Sequence, residues 1–314
     1  MPTNRRRLLA AALGTAAPLG VAALGGAPPV AAHVDPTERR PSGGASFKLG
    51  MAAYSYRQFL QGPNKNMTLF DFIQRSAELG TDGVELTEYY FEKPITPEYL
   101  MRLKRTAHLW GQTITGTPIG NVFTHPAGPE RDREIETYKR WVDISADLGS
   151  PAIRTFAGTA PKGVSEADAR RNVVESLEIA CDYAAKRGIF VALENHGGVV
   201  ATADGLLGIV RAVKSPWLGI NLDTGNFRTE DPYADLALCA PYAVTVQYKV
   251  EMFPKGGPAQ PANLERIVQI LRQAGYRGFV TLEYEAKEDP AVAIPRHLAE
   301  MRMHLTGQLG KVRG

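Results

Sequence analysis

Two features of this 314-residue sequence predict an α/β fold of the (β/α)8 TIM-barrel type. Apolar, β-like runs alternate eight times with amphipathic helical stretches, and each of the last four runs ends in an oxygen-donor side chain. Predicted strands cover 48–55, 83–89, 112–118, 152–157, 189–195, 218–224, 243–250 and 278–285. Between them, helical spacing predicts 68–79, 97–110, 130–148, 165–187, 203–214, a short helix at 232–240, 261–274 and 290–305. In the first of these, Leu69, Phe72, Ile73 and Ala77 share a face. Thr68 and Ser165 suit N-caps, while Gly80, Gly111, Gly149, Gly188 and Gly275 stand where helices must stop. A doubly wound open sheet is the competing arrangement. It calls for a glycine-rich phosphate turn after the first strand, which Met51-Ala52-Ala53-Tyr54-Ser55 does not supply.

Residues 1–32 read as an export signal. Arg5-Arg6-Arg7-Leu8-Leu9 precedes an uncharged Ala/Leu/Gly-rich stretch, and Val30-Ala31-Ala32 fits a cleavage site, the pattern of twin-arginine export to the periplasm or beyond. The competing reading is a transmembrane anchor, but glycine and proline leave the run only weakly apolar. Cleavage would leave no stable membrane anchor. The formal charge of +3 includes three arginines of this segment, and without them it is zero, so neither nucleic acid nor anionic membrane is an expected partner. Residues 33–46, with Pro36, Pro41, Gly43 and Gly44 among charges, read as a leader, 47–308 as one barrel domain and 309–314 as a tail. Cys181 and Cys239 both fall in predicted helices, which points to buried structural thiols rather than a disulfide.

The chemistry is concentrated in four segments: LENHG (193–197), NLDTGN (221–226), VQYKVE (246–251) and TLEYE (281–285). Their polar ends are Glu194, Asp223, Gln247 and Glu283, separated by 29, 24 and 36 residues, each about one strand-plus-helix unit. Parallel strands would bring all four side chains to one end of the sheet. Three carboxylates buried together are costly unless a divalent cation neutralises most of their charge. An all-oxygen set with one carboxamide favours Mn²⁺ or Mg²⁺, accommodates Co²⁺, and is a poor match to zinc. Strand alternation puts His196 on the face of Glu194, and Lys249 and Glu251 on that of Gln247. His125 lies in the loop 120–126, expected over the site, with Tyr54, Tyr56, Tyr89, Tyr90, Phe123, Phe156 and Phe253 as aromatics for stacking or excluding water.

LENHG, NLDTGN and LEYE, in this order on successive units, resemble the xylose-isomerase-like barrels of the sugar phosphate isomerase/epimerase superfamily, over roughly 48–305. The resemblance implies metal ligands at the ends of strands five to eight, hence Glu194, Asp223, Gln247 and Glu283, with Glu194 and Glu283 also flanking the substrate and moving protons. It implies substrate contacts from Asn226 and from Glu85 at the end of GVEL. Many epimerases of the family have His on strand seven where this chain has Gln247. Family dehydratases acting on cyclic hydroxyketones resemble this chain more closely there, with His two residues after the strand-five glutamate, here His196.

Chemistry shared by these branches removes a proton beside a carbonyl and forms an enediolate; a bound metal serves as Lewis acid. His196 is the candidate extra acid or base and Lys249 the candidate cation for the enolate or a substrate oxygen. Arg154 is expected either to bind substrate or to pair with Glu194. The expected function is a metal-dependent sugar or keto-sugar isomerase or epimerase on a small carbohydrate. Alternatives are a lyase or dehydratase on a cyclic hydroxyketone or 3-keto-glycoside, and a carbohydrate-binding protein without turnover. A DNA-repair endonuclease of the same general fold would need a histidine-rich zinc cluster, which six histidines do not supply at these strand ends. No basic cluster resembles a phosphate grip, and the sequence is compatible with a homo-oligomer.

Overall fold

A computed structural model describes residues 45–306. The export signal, all but the end of the leader, and the tail lie outside the described residues. Strands β1 (Ser46–Ala52), β2 (Gly83–Glu85), β3 (Thr113–Gly116), β4 (Ala152–Thr155), β5 (Phe190–Glu194), β6 (Leu218–Asp223) and β7 (Ala243–Tyr248) are followed by a two-strand hairpin, β8 (Glu251–Met252) and β9 (Gln260–Pro261), and by β10 (Arg277–Leu282). Helices are α1 (Arg57–Leu60), α2 (Leu69–Glu78), α3 (Pro97–Leu109), α4 (Pro129–Leu148), α5 (Glu166–Ala185), α6 (Ala203–Ala212), α7 (Pro232–Cys239), α8 (Leu264–Gln273) and α9 (Pro290–Thr306).

The eight longer strands form one parallel sheet in the order β3-β2-β1-β10-β7-β6-β5-β4. Beyond the ladders, the N–H groups of Thr117 and Ile119 donate to the carbonyls of Ala152 and Arg154, at 3.2 and 3.3 Å, so β3 meets β4 and the barrel is nearly closed. This is the predicted TIM barrel. Strand starts fall within two residues of expectation, and β1 begins at Ser46, inside the span read as leader. The ends differ more. The stretch 83–89 contributes only three residues to the ladder before turning through Glu88–Tyr90, because strands stop at the mouth while apolar residues continue into loops that pack over it.

The helices bury one face against the barrel. In α8, Leu264, Ile267, Val268 and Leu271 recur at the spacing of a single helical stripe, and all are buried. In α2 the buried set is Leu69, Phe72, Ile73 and Ser76, so Ser76 takes the place expected for Ala77. Its hydroxyl donates to the Phe72 carbonyl at 2.7 Å, which lets a polar residue occupy the stripe. Thr68 forms a capping box: its side chain accepts from the Asp71 N–H, and Asp71 accepts from the Thr68 N–H at 2.8 Å. Ser165 caps α5, its hydroxyl accepting from the Asp168 N–H at 3.1 Å. Gly149 ends α4 at φ 77°, a left-handed conformation that a Cβ would strain.

Cys181 and Cys239 are free and buried, and burial pushes both thiols up to about 12, which suits an inert packing role. Among the described residues no helix is long and apolar enough to cross a membrane. Replacing Thr68 with Ala is expected to lower stability by about 1 kcal/mol, the usual worth of a lost N-cap, measured by chemical denaturation. An unchanged midpoint would show that the capping box contributes nothing.

Candidate active site

Register decides where the polar side chains meet. Glu194 pairs with Asn221, Asp223 with Gln247, and Gln247 with Thr281. The positions climb around the barrel as a staircase, and Glu283 stands two residues beyond the partner of Gln247. Glu194, Asp223, Gln247 and Glu283 thus gather at the C-terminal end of the strands, all at most 5% exposed. A pocket of about 150 Å³ opens beside them, lined by Asn226, Arg228, Lys249, Glu251, Phe253 and Glu285. A larger cavity, about 350 Å³, lies at the opposite end against the first residues of β4 to β7. Apart from Glu85 it meets none of the buried carboxylates, so the C-terminal mouth is the site.

Each buried carboxylate is held by named partners. Glu194 Oε2 lies 3.0 Å from Arg154 Nε, and its Oε1 accepts from Asn226 Nδ2 at 2.9 Å. Glu283 Oε2 is 2.5 Å from Lys249 Nζ. The amide nitrogen of Gln247 donates to Glu85 Oε1 at 2.7 Å and to Glu283 Oε1 at 3.3 Å, while its oxygen accepts from Asn221 Nδ2 at 2.6 Å. Asp223 Oδ1 accepts from the Gly225 N–H at 2.8 Å. Among the described residues Asp223 Oδ2 finds no hydrogen-bond donor; the nearest cation, Lys249 Nζ, is 3.5 Å away.

The geometry gives each remaining candidate its partners. Arg154 takes the second of its two expected roles, pairing with Glu194; it also donates to the Ile119 carbonyl, lays its guanidinium over the Phe156 ring and is 5% exposed. Glu85, the last residue of β2, is buried, accepts from the Gln247 amide and also borders the lower cavity. His125 pairs through Nδ1 with Glu130 at 3.3 Å, a contact on α4 and not with the carboxylates. His196, by contrast, stays at the site: its ring stacks 4.3 Å from that of Phe156, and burial, reinforced by Arg154, lowers its pKa and favours neutral imidazole. Asn226 is bound to Glu194, as a residue at the mouth should be.

Two residues escaped the sequence reading. Asn195 locks β5 to β6 by exchanging hydrogen bonds with the backbone of Asp223, both at 2.9 Å. Asn221 receives a hydrogen bond from Thr245 Oγ1 at 2.6 Å and orients Gln247. The signal for Asn221 was present: it stands two residues before Asp223 on one strand, hence on the same inward face.

Four buried carboxylates, Glu85, Glu194, Asp223 and Glu283, confront two buried cations, Arg154 and Lys249. When all are ionised the site lacks two positive charges. Burial pushes Asp223 up to about 8 despite Lys249, and Glu85 up to about 8 with added repulsion from Glu283. Glu194 rises to about 7 through burial, although Arg154 pulls it down. Glu283 is the exception: Lys249, then Arg154, outweigh its burial and hold it below the usual carboxylate range. Lys249 itself stays charged, raised by Asp223, Glu283 and Glu285 against its own burial.

The donor set fits a divalent cation in charge and type, and the unpartnered Asp223 oxygen gives it a free lone pair. As placed, however, no three His, Cys, Asp or Glu side chains among the described residues stand close enough to ring an ion. Protein donors hold the remaining ligand oxygens, with Lys249 against Glu283, Arg154 against Glu194 and Asn221 against Gln247.

A carboxyl whose pKa is raised on folding holds its proton more tightly when folded. Its stabilising effect is full below the unfolded value near 4.5 and is lost as pH rises toward the folded value. Glu194, Asp223 and Glu85 all act in this direction, so the metal-free protein is expected to melt at progressively lower temperature from pH 5 to pH 8. Calorimetry in chelator checks this, and a flat or rising melting temperature would contradict the charge imbalance.

The same arrangement can be set beside known proteins. The chain is 22% identical over 236 residues to a putative hydroxypyruvate isomerase of Xenopus laevis, covering 69% of this chain and 84% of that protein. It is 24% identical over 178 residues to a 3-dehydroshikimate dehydratase of Bacillus anthracis, covering 56% of this chain and 61% of that protein. The fold superposes on the crystal structure of apo 3-keto-D-glucoside 4-epimerase from E. coli with a TM-score of 0.65 at 18% identity, over 82% of this chain and all of that one. A family model described as xylose isomerase-like TIM barrel matches residues 73–302, and the chain belongs to that family.

Proposed function

We propose that this chain is a divalent-metal-dependent enzyme that removes and returns the proton beside a carbonyl of a small, sugar-derived ketone, as an isomerase or epimerase. The carrying observation is that Glu194 and Glu283, buried together at the mouth, have separate partners, Arg154 and Asn226 for one and Lys249 and Gln247 for the other, which shift the two carboxyls in opposite directions. Two carboxyls whose surroundings push them apart make an acid and a base. In the metal-free site Lys249 holds Glu283 below the usual carboxylate range while burial brings Glu194 to about 7, so Glu283 is the candidate proton acceptor and Glu194 the candidate donor. Glu194, Asp223, Gln247 and Glu283 would hold the cation, Mn²⁺ or Mg²⁺ by donor type. When bound it supplies Lewis-acid polarisation of the substrate carbonyl.

The chain's own residues supply the rest. Asn226, bound to Glu194 at the pocket, is positioned to orient a substrate hydroxyl. Phe156 and His196 form an aromatic wall beside Glu194. The names of the related isomerase and epimerase support proton-shift chemistry. Export by the twin-arginine route, as the first 32 residues suggest, would suit an unphosphorylated substrate met outside the cytoplasm.

A second reading, a lyase or dehydratase, has its own support in Gln247 on β7, in His196 beside Glu194, which as a neutral imidazole can accept a proton or donate a hydrogen bond to a leaving oxygen, and in the related dehydratase. The two readings separate in D₂O. With Mn²⁺ present and a panel of free ketoses and 3-keto-glycosides, isomerase or epimerase chemistry gives deuterium next to the carbonyl with an unchanged skeleton, whereas elimination releases water or an aglycone. Glu283→Gln is expected to lower kcat by about 10²- to 10⁴-fold, the usual worth of a positioned base. Full activity in that variant would remove Glu283 from proton transfer, and no exchange with any substrate would favour a binding protein.

A further inference from the structure

Lys249 has three carboxylate neighbours that differ in one respect. Its Nζ lies 2.5 Å from Glu283 Oε2, 3.5 Å from Asp223 Oδ2 and 2.8 Å from Glu285 Oε2. The Asp223 and Glu283 side chains are 0 and 7% exposed, but that of Glu285 is 42% exposed. Two of the neighbours therefore belong to the buried donor set and the third stands at its lip. Glu285 follows Glu283 by two residues, and both carboxylates reach the same ammonium.

The backbone of Lys249 is fixed, and its side chain, 8% exposed, lines the pocket at the mouth. Its N–H donates to Thr224 Oγ1 at 2.9 Å. Its stem lies in a cradle left by Gly225, where a Cβ would come within 2.7 Å of the Lys249 Cβ and 2.8 Å of the Glu251 carbonyl. The ammonium, on four flexible carbons, borders the 150 Å³ pocket that Glu285 also lines. A divalent cation on Asp223 and Glu283 would repel an ammonium at its present distances.

We propose that Lys249 is a displaceable counter-ion. Its ammonium neutralises Asp223 and Glu283 while the donor set is without metal, and passes to Glu285 when a divalent cation takes those two carboxylates. The inference rests on the metal site proposed above. It makes the lysine an internal competitor that keeps the metal-free barrel mouth together and sets how tightly the ion is held.

The test is Mn²⁺ titration of the chelator-treated full chain by calorimetry, for the native protein, Lys249→Met, Glu285→Gln and the double variant, together with metal-free melting temperatures. Lys249→Met is expected to bind Mn²⁺ on the order of tenfold more tightly or better, and to melt lower when metal-free. Glu285→Gln should bind Mn²⁺ more weakly, and that loss should vanish in the Lys249→Met background, the signature of coupled residues. Equal or weaker binding by Lys249→Met, or the same Glu285→Gln loss in both backgrounds, would overturn the displacement while leaving the metal site standing. No Mn²⁺ binding by the native protein would overturn the site itself and this inference with it. Should Lys249→Met not fold, Glu285→Gln, altered at the exposed lip, still decides: unchanged or tighter Mn²⁺ binding refutes the exchange.

Discussion

Two positive charges are missing from the mouth of this barrel, and much of the local structure follows from that shortage. Glu85, Glu194, Asp223 and Glu283 are buried within one polar cluster, with Arg154 and Lys249 as the only buried cations in contact with it among the described residues. A carboxylate removed from water must find a cation, a set of donors or a proton. Each of these answers is present. Lys249 and Arg154 supply charge, Gln247, Asn221 and Asn226 supply donors, and the raised affinities of Asp223, Glu85 and Glu194 for protons make up the difference.

The scaffold makes this concentration of charge tolerable. Asn195 ties β5 to β6 beneath the mouth, and Asn221 with Thr245 fixes the carboxamide of Gln247 from below. Arg154 is clamped between the Ile119 carbonyl, the Phe156 ring and Glu194. Stability in the barrel comes from its apolar stripes and ladders. The polar mouth draws on that stability, as a site built for chemistry commonly does.

Much of the fold was legible from the chain alone because barrel helices and strands carry strong periodic signals. The Leu69, Phe72 and Ile73 face of α2 and the Thr68 cap are local facts, and the structure places them as the sequence suggests. Strand ends were less legible. The apolar residues after Glu85 pack in a loop over the mouth instead of extending the ladder, and periodicity alone does not separate those fates. At the site, alternation along the strands found the inward residues Glu194, Asp223, Gln247, Lys249 and Glu283. It could not say which of two inward polar residues meets which, since that depends on register. Register is what pairs Arg154 with Glu194, one of the two roles expected for it, and Glu85 with Gln247, while His125, in a loop whose path the sequence does not define, lies against Glu130.

We propose that a divalent cation fills the charge deficit among Glu194, Asp223, Gln247 and Glu283. Anomalous diffraction at the manganese edge, from crystals grown with Mn²⁺, tests it directly. One strong peak is expected, bounded by the unpartnered Asp223 oxygen and the carboxylates of Glu194 and Glu283. A mouth without a peak, or a peak bound elsewhere on the chain, would contradict it.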